Sequence, residues 1–419
     1  MSSNVGGGSL NQVTVNGQEI KQIVTALDYF ESVYAPCASC NFTVSDSSGF
    51  NQKANLQGGE DVSISFGDRN NNSIRMNFVV AMQGNRTRAK NNQDMFNINC
   101  VPQEFLEQNQ KEIVKAYKGK KVSDMVKDWH DEYVKDTKTL KKDLATNEET
   151  EDKQSYHGIG VSPVSAIRWA AKEGKSSEAK ASNYLYYQDR DGYHFRTIDK
   201  MLSEGDQFTL SYSAQNIGPA GGDPNMKIIS FDQQGDFNSL DSSYNGADSD
   251  HWYFYDPTTG KVNSSEKGKR DGAGETTHTG SAQLTQKQTS ARGERYNLVV
   301  APGQVKSKFR DSRDPKIAEY KRSLPEHAAQ SSAAVQLDNL VMNVRVPGNI
   351  NFKPGIKVKL QIPANQEGME LDQRSGSFLV TSVRHVIYKE ENDMKYNCIL
   401  ECKSDSKNKT SSGNSGVAK

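Results

Sequence analysis

Few residues in this chain have the type and spacing needed for chemistry. Cys37-Ala-Ser-Cys40 is a C-x-x-C pair, the spacing of a redox dithiol or of half a structural zinc site. A zinc site needs a second ligand pair, and the candidates are Cys398 and Cys402. Those two fall in a segment patterned as a strand, where four residues span roughly 13 Å, too far to share one metal. All five cysteines are therefore expected to be structural, with no metal and no other cofactor bound. The seven histidines are scattered and form neither H-E-x-x-H nor H-x-H. His194 and His385 sit in strand-like segments, where packing is their expected role. There is no G-x-S-x-G, no phosphate-binding loop and no dinucleotide fingerprint. Carboxylate pairs are too frequent for any one to mark a glycosidase. The aromatic run Trp252 to Tyr255 could stack a sugar ring or cover a core. No catalytic, cofactor-binding or metal-binding residue is assigned, and the chain is expected not to be an enzyme.

Composition sets the frame. The chain has 419 residues, with 52 Lys+Arg against 52 Asp+Glu. That length predicts two to four domains. Zero net charge argues against a protein built to hold nucleic acid by its phosphates. No apolar run approaches the roughly 20 residues of a membrane span. The first residues, MSSNVGGGSLNQ, lack a basic start and an apolar stretch, so no secretory signal is expected, and the few cysteines fit a reducing cytoplasm.

Residues 1–102 read as a first β-barrel domain. Segments 26–34, 41–44, 61–66, 76–82 and 95–99 carry β-branched and aromatic residues, several alternating apolar and polar. Residues 103–160 read as a helical insert and acidic connector. Phe105, Ile113, Val114 and Tyr117 predict one helix, and Ser123 with Met125, Val126, Trp129 and Tyr133 a second. Ten lysines between Lys111 and Lys142 are interleaved with acids, as on a solvated face, and 147–154 reads as a flexible link. Residues 161–313 form a predicted middle α+β domain. It opens with a helix at Ser162-Pro163 and continues as a hairpin over 184–198 turning at Asp191-Gly192. Arg190 and Arg196 flank that hairpin and are candidates for ion pairs between subunits or with Asp189 or Asp191. Residues 262–295 are predicted to be a mobile loop. Residues 314–403 read as a helix, broken near Pro325, followed by a second barrel with strands at 340–346, 356–362, 378–388 and 394–402. Residues 404–419 are predicted to be a disordered tail.

The two strand regions repeat one another. Counted from Gly59 and from Gly355, apolar residues recur at the same offsets: Val62, Ile64 and Phe66 against Val358, Leu360 and Ile362. Each strand precedes a second, Phe78-Val79-Val80 or Phe378-Leu379-Val380. Each is then followed by an Asp-Met pair and a cysteine, Cys100 or Cys398. The expected fold is α+β and β-rich: two similar small antiparallel β-barrels flanking a helical insert and a helix-plus-sheet middle domain. In a closed trimer such a duplication gives six similar modules around one axis. The six repeated apolar residues are the candidate structural and interface positions.

The segments S-P-V-S-A-I-R-W-A-A, N-Y-L-Y-Y-Q-D-R-D-G-Y-H-F-R-T-I-D, V-P-G-N-I-N-F-K-P-G-I-K-V-K-L and S-G-S-F-L-V-T-S-V-R-H-V-I-Y together resemble the baseplate hub protein of contractile-tailed bacteriophages. Its relatives include the spike base of type VI secretion systems. The resemblance implies two tube-type barrels per chain, a homotrimer, and a ring joining a central spike protein to the tail tube. It further implies contact with tube-initiator proteins and baseplate wedge proteins, with DNA passing through the channel without specific binding. The virion tail is then the site of action, after assembly in the host cytoplasm. A receptor- or carbohydrate-binding tail module is the alternative, and a cell-wall hydrolase a third reading that lacks a catalytic constellation.

Overall fold

The structure, a computed structural model, describes residues 7–407 except 71, 89–92, 109, 136–142, 152, 179–182, 214–223, 237–250, 257–259, 266–276, 281–295, 301–336, 365–370 and 392. A first set of strands comprises β1 (Ser9–Val15), β2 (Gln18–Glu19), β3 (Val24–Ser32), β4 (Ser39–Asp46), β5 (Asp61–Gly67), β6 (Ser73–Arg88) and β7 (Asp94–Val101). The short helix α1 (Phe50–Ala54) follows β4. The middle holds α2 (Gln103–Gln108), β8 (Ile113–Lys121), α3 (Val122–Trp129), β9 (Leu144–Asn147), β10 (Lys153–Val161), α4 (Pro163–Glu173), β11 (Tyr184–Asp189), β12 (Gly192–Thr197) and α5 (Ile198–Ser203). Next come β13 (Asp206–Tyr212), β14 (Lys227–Ile228), β15 (Ser230–Gly235), β16 (His251–Asp256), β17 (Lys261–Ser265) and β18 (Tyr296–Val300). The last set is β19 (Leu340–Pro347), β20 (Lys357–Gln361), β21 (Gly376–Glu390) and β22 (Asp393–Ser404).

The first and last strand sets join in one 14-stranded sheet, in the order β14-β13-β20-β21-β3-β4-β7-β6-β5-β1-β2, with β22 and β19 continuing from β21 to β15. The chain is therefore β-rich with few helices, as expected. Among the described residues no sheet closes into a barrel. Most neighbours are antiparallel, but β13 pairs with β20 in parallel. Alternation decides which side is buried. In β4 every second residue is buried, from Cys40 through Phe42 and Val44 to Asp46, and the first three meet the inward residues of β5, β7, β20 and β22 in one apolar core. A second core packs α3 and α4 against β11 and β12, with Trp129 fully buried beneath Tyr156.

Several sequence expectations need correction. Ile113 to Tyr117 form part of strand β8, paired with β10, rather than a helix. A spacing of four residues fits a strand face as well as a helix face, and the partner strand decides. Val114 accordingly points away from the core and is 72% exposed. The second helix is present as α3, but Ser123 lies inside its first turn rather than capping it. Ser123 and Thr150 exchange hydrogen bonds, N to Oγ1 at 3.0 Å and Thr150 N to Ser123 Oγ at 3.2 Å. Those bonds anchor the supposed link at 147–154. Glu148 in the same stretch accepts from the Thr197 amide at 2.7 Å.

The predicted loop 262–295 contains an anchored segment. Thr277 N donates to Asp199 Oδ1 at 2.6 Å, Thr279 N to Asp405 Oδ1 at 3.0 Å and Gly280 N to Ser406 Oγ at 3.1 Å. The expected tail is likewise ordered through Lys407, with Asp405 and Ser406 buried. The expected helix at 314–338 and the end of the tail lie outside the described residues, apart from the last two positions of that helix. The 162–173 helix and the 184–197 hairpin match expectation: Ser162 Oγ caps the Ser165 amide and Gly192 takes φ 140° in the turn.

Candidate subunit interface

The repeat seen in sequence is a repeat of hydrogen bonding. β5 pairs with β6, placing Val62 opposite Phe78; β20 pairs with β21, placing Val358 opposite Phe378. Gly59 N donates to Val80 O at 2.7 Å and Gly355 N to Val380 O at 2.8 Å. Val80 N returns a bond to Glu60 O, and Val380 N to Ile356 O, both at 2.9 Å. Each long strand then carries a bulge at the next step, between Val80 and Met82 and between Val380 and Ser382. Cys100 lies opposite Val80 and Cys402 opposite Val380, so the equivalent of Cys100 is Cys402, not Cys398. Val62, Ile64, Phe66, Val358, Leu360 and Ile362 are all buried, at 0–2% exposure. They build the cores and do not reach the surface, so any part in a contact between subunits is indirect, through the shape of the strands.

The two repeats meet along β3 and β21, antiparallel from Ser382 opposite Ser32 to Tyr388 opposite Ala26. β21 serves β20 with its first residues and β3 with its later ones, the bulge marking the change of partner. Arg384 crosses this seam to Asp28, Nε to Oδ1 at 3.1 Å and Nη2 to Oδ2 at 2.9 Å, the bidentate geometry that favours Arg over Lys.

Behind the seam lies a buried polar group. The Tyr29 hydroxyl donates to Glu31 Oε1, and the Tyr29 ring stacks on His385 with centroids 5.6 Å apart. His385 Nδ1 lies 2.7 Å from the Tyr396 hydroxyl. Glu31 has no exposed surface, and its Oε2 has no hydrogen-bond partner in the structure. Burial, reinforced by the Asp189 carboxylate, lifts its carboxyl to about 8, against an opposing pull from the Tyr29 hydroxyl and Arg190. Burial, with the Arg190 charge, pushes His385 down to about 3. At neutral pH the cluster therefore holds a protonated Glu31 and an uncharged imidazole. Sequence reasoning passed over Glu31, although it shares strand parity with buried Leu27 and Tyr29, which marks an acid on an inward face.

Arg190 and Arg196 make contacts within the chain. Arg190 Nε lies 3.8 Å from Asp191 Oδ1, while Arg196 pairs with Glu204 rather than with Asp189 or Asp191. Asp189 is buried, 2.9 Å from His194 Nε2. Arg190 and Asp191 also rim an open cleft of 410 Å³ shared with Arg75, Met76 and Ile350. Cys37 and Cys40 are buried free thiols, and Cys40 faces Cys100 across β4 and β7. Among the described residues no three His, Cys, Asp or Glu side chains converge as metal ligands. Cys398 Sγ lies 3.3 Å from His385 Nδ1, but burial pushes that thiol up to about 12; the described residues offer strand edges and charge pairs.

No protein-family model matches this chain, and no curated protein matches its sequence. Solved structures do. The tail protein from Neisseria meningitidis MC58 aligns with TM-score 0.56 and 13% identity over 95% of this chain and 97% of that one. The 43 kDa tail protein of prophage MuSo2 from Shewanella oneidensis aligns with TM-score 0.56 and 9% identity over 96% of this chain and 100% of that one. A component of the type VI secretion system of E. coli aligns at TM-score 0.45 and 7% identity over 94% of this chain and 77% of that one. At these identities the likeness is one of fold: the chain has the fold of tail proteins, the class its sequence resembles.

Proposed function

We propose that this chain is a structural hub subunit of a contractile phage tail baseplate. It acts as a homotrimer whose two strand sets supply six similar modules around a channel. One face of that ring meets the threefold central spike and the other the sixfold tail tube with its initiator proteins, while baseplate wedge proteins pack outside. DNA leaves through the channel without specific binding, consistent with the balance of 52 basic and 52 acidic residues. The protein acts in the virion tail after assembly in the host cytoplasm, and no catalysis is assigned to it.

One observation carries the reading: β5-β6-β7-β4 and β20-β21-β22-β19 share one register as far as Gly84 in β6 and Arg384 in β21, down to the Gly59 and Gly355 bonds. Two similar modules in one chain are what a threefold ring needs to face a sixfold partner. The tube-type barrel architecture belongs to the same proposal. It is supported by Ile229 N donating to Arg345 O at 2.8 Å, which carries the chain from β14 beside β13 to β15 beside β19. The bridge between Gly7 and Lys395 brings the chain just before β1 toward β22 in a similar way. On this reading the domains are 1–102, 103–160, 161–313 and 314–403.

Sedimentation of the purified protein tests the proposal, together with averaged electron-microscope images. Three-chain rings with six lobes and an open centre are the expected result. A stable monomer that binds glycans would overturn it in favour of a receptor- or carbohydrate-binding tail module.

A further inference from the structure

The C-x-x-C spacing conceals a different pair of thiols. Cys37 precedes β4 and stands near Glu104, Tyr186 and Tyr193 of the middle region. The Ala38 amide donates to Gln188 Oε1 at 3.1 Å and holds that segment to β11. Cys40 points instead into the core of the first strand set, directly opposite Cys100 across β4 and β7. Opposed residues of an antiparallel pair have Cα atoms roughly 4.5 or 5.5 Å apart, and a disulfide spans roughly 4.4 to 6.8 Å. Either kind of pairing therefore brings the two thiols within reach. Both lie on the inward face of their strands, and both are free. No other two cysteines are opposed: Cys398 lies opposite Val346 and His385, and Cys402 opposite Met342 and Val380. The pair is also the end rung of its ladder, one residue from the start of β4 and one from the end of β7. End rungs open more readily than the middle of a sheet.

We propose that Cys40 and Cys100 form a reversible cross-strand disulfide when the folded protein meets a small peroxide, stapling the first strand set and leaving the second unstapled. The first thiol attacks one peroxide oxygen as its thiolate. An S–O bond forms, the O–O bond breaks, and hydroxide leaves, taking up the thiol proton as water. The second thiol then attacks the sulfenic sulfur: the S–S bond forms, the S–O bond breaks and another water leaves. The two sulfurs are oxidised and the peroxide is reduced to water. Burial keeps both thiols protonated, so the first step is slow and waits on opening of the end rung. Hydrogen peroxide is small and uncharged enough to enter there, whereas bulky thiol reagents are not. The link closes a loop that contains β5 and β6, which restrains the unfolded chain and favours the folded one. In the second strand set Met342 stands where Cys40 stands in the first, so one module alone carries the staple. Thiols stay reduced in a cytoplasm and are oxidised outside it. On the hub reading that change comes when the particle leaves the host, but the link itself does not rest on that reading.

The experiment treats the full, folded, reduced chain with a slight molar excess of hydrogen peroxide, quenches it in acid denaturant and counts the remaining thiols. A fall from five thiols to three is expected. The mass should drop by about 2 Da for the hydrogens lost, and digestion without reductant should yield one linked peptide pair containing Cys40 and Cys100. Cys37→Ser should leave the link unchanged, and Cys100→Ala should abolish it. The oxidised protein should unfold at a higher urea concentration than the reduced one, and dithiothreitol should return the midpoint. Cys402→Ala should show the same gain between its own reduced and oxidised forms. If Cys100→Ala does not fold, the peptide map of the unaltered chain still decides. Five thiols remaining, added oxygen with no linked peptide, or a link joining Cys37 to Cys40 or one chain to another would overturn the proposal. Sedimentation of the reduced protein tests the hub reading separately, so either can fail alone.

Discussion

Gly59 and Gly355 occupy the same backbone conformation, φ 88° and φ 85°, and donate to equivalent carbonyls on the following strand. Their surroundings differ. A Cβ on Gly59 meets nothing within 4 Å, whereas one on Gly355 would stand 2.7 Å from the Tyr187 hydroxyl of the middle region. The backbone requirement thus belongs to the module, and the close approach to its place in the chain.

Replacing Gly59 by Ala should lower stability by about 1–2 kcal/mol, the penalty of a left-handed L-residue. Gly355→Ala should cost more, because Tyr187 must also move. Urea unfolding of the two variants checks the order, and equal losses would contradict the contact with Tyr187.

Leu360 is fully buried in β20, and truncation to Ala should cost about 2–5 kcal/mol. Because β20 shapes the second module, loss of the multi-chain species should accompany the loss of stability. Denaturant midpoints and sedimentation, measured on the same preparation, test both effects.

Glu31 gives stability a pH dependence of defined sign. Its carboxyl is raised from 4.5 to about 8 by burial and then by Asp189, so the folded state binds the proton more tightly. That contribution is fully present below about 4.5 and is lost as pH rises through about 8. Glu31→Gln should flatten this slope while leaving the fold intact. An unchanged profile between those values would show that the carboxyl is already ionised in the folded protein.

All five cysteines are buried, and burial, assisted by the Glu104 charge, pushes the Cys37 thiol up to about 12. A thiol reagent at mild alkaline pH should label none of them in the folded protein and all five after denaturation. Replacing Cys37 and Cys40 by Ser should not alter metal content. Stoichiometric zinc lost in that double variant would reverse the structural reading.

The Asp405 carboxyl is held below its ordinary value: burial alone would raise it, but bonds from His278 and Thr279 outweigh that. The stabilisation is therefore present above the unfolded value of 3.8 and is lost as pH falls through the lower folded value. Asp405→Ala should release Thr277–Gly280 and cost about 1.5–3 kcal/mol, as for hydrogen bonds to a charged group. Hydrogen exchange at the Thr279 amide should accelerate, and unchanged protection would place the anchor elsewhere.

Alternation and turn residues were enough to place most strands of the two repeats, the 184–197 hairpin and α4, because these depend on neighbours close in sequence. The repeat itself was legible from Val62, Ile64 and Phe66 against Val358, Leu360 and Ile362, since a core face must recur wherever the module recurs. The segment at Ile113 was misread because hydrophobes four apart satisfy both periods, and only β10, some 40 residues on, settles the matter. The anchoring of Thr277–Gly280 and Ser404–Ser406 was invisible for the same reason: polar segments look mobile until Asp405 meets Thr279 across 126 residues. Tertiary structure alone decided that β3 and β21 share a seam and that Arg384 reaches Asp28. Local sequence sets which faces of a strand are apolar; which strand lies beside its edge depends on long-range contacts that no local pattern encodes.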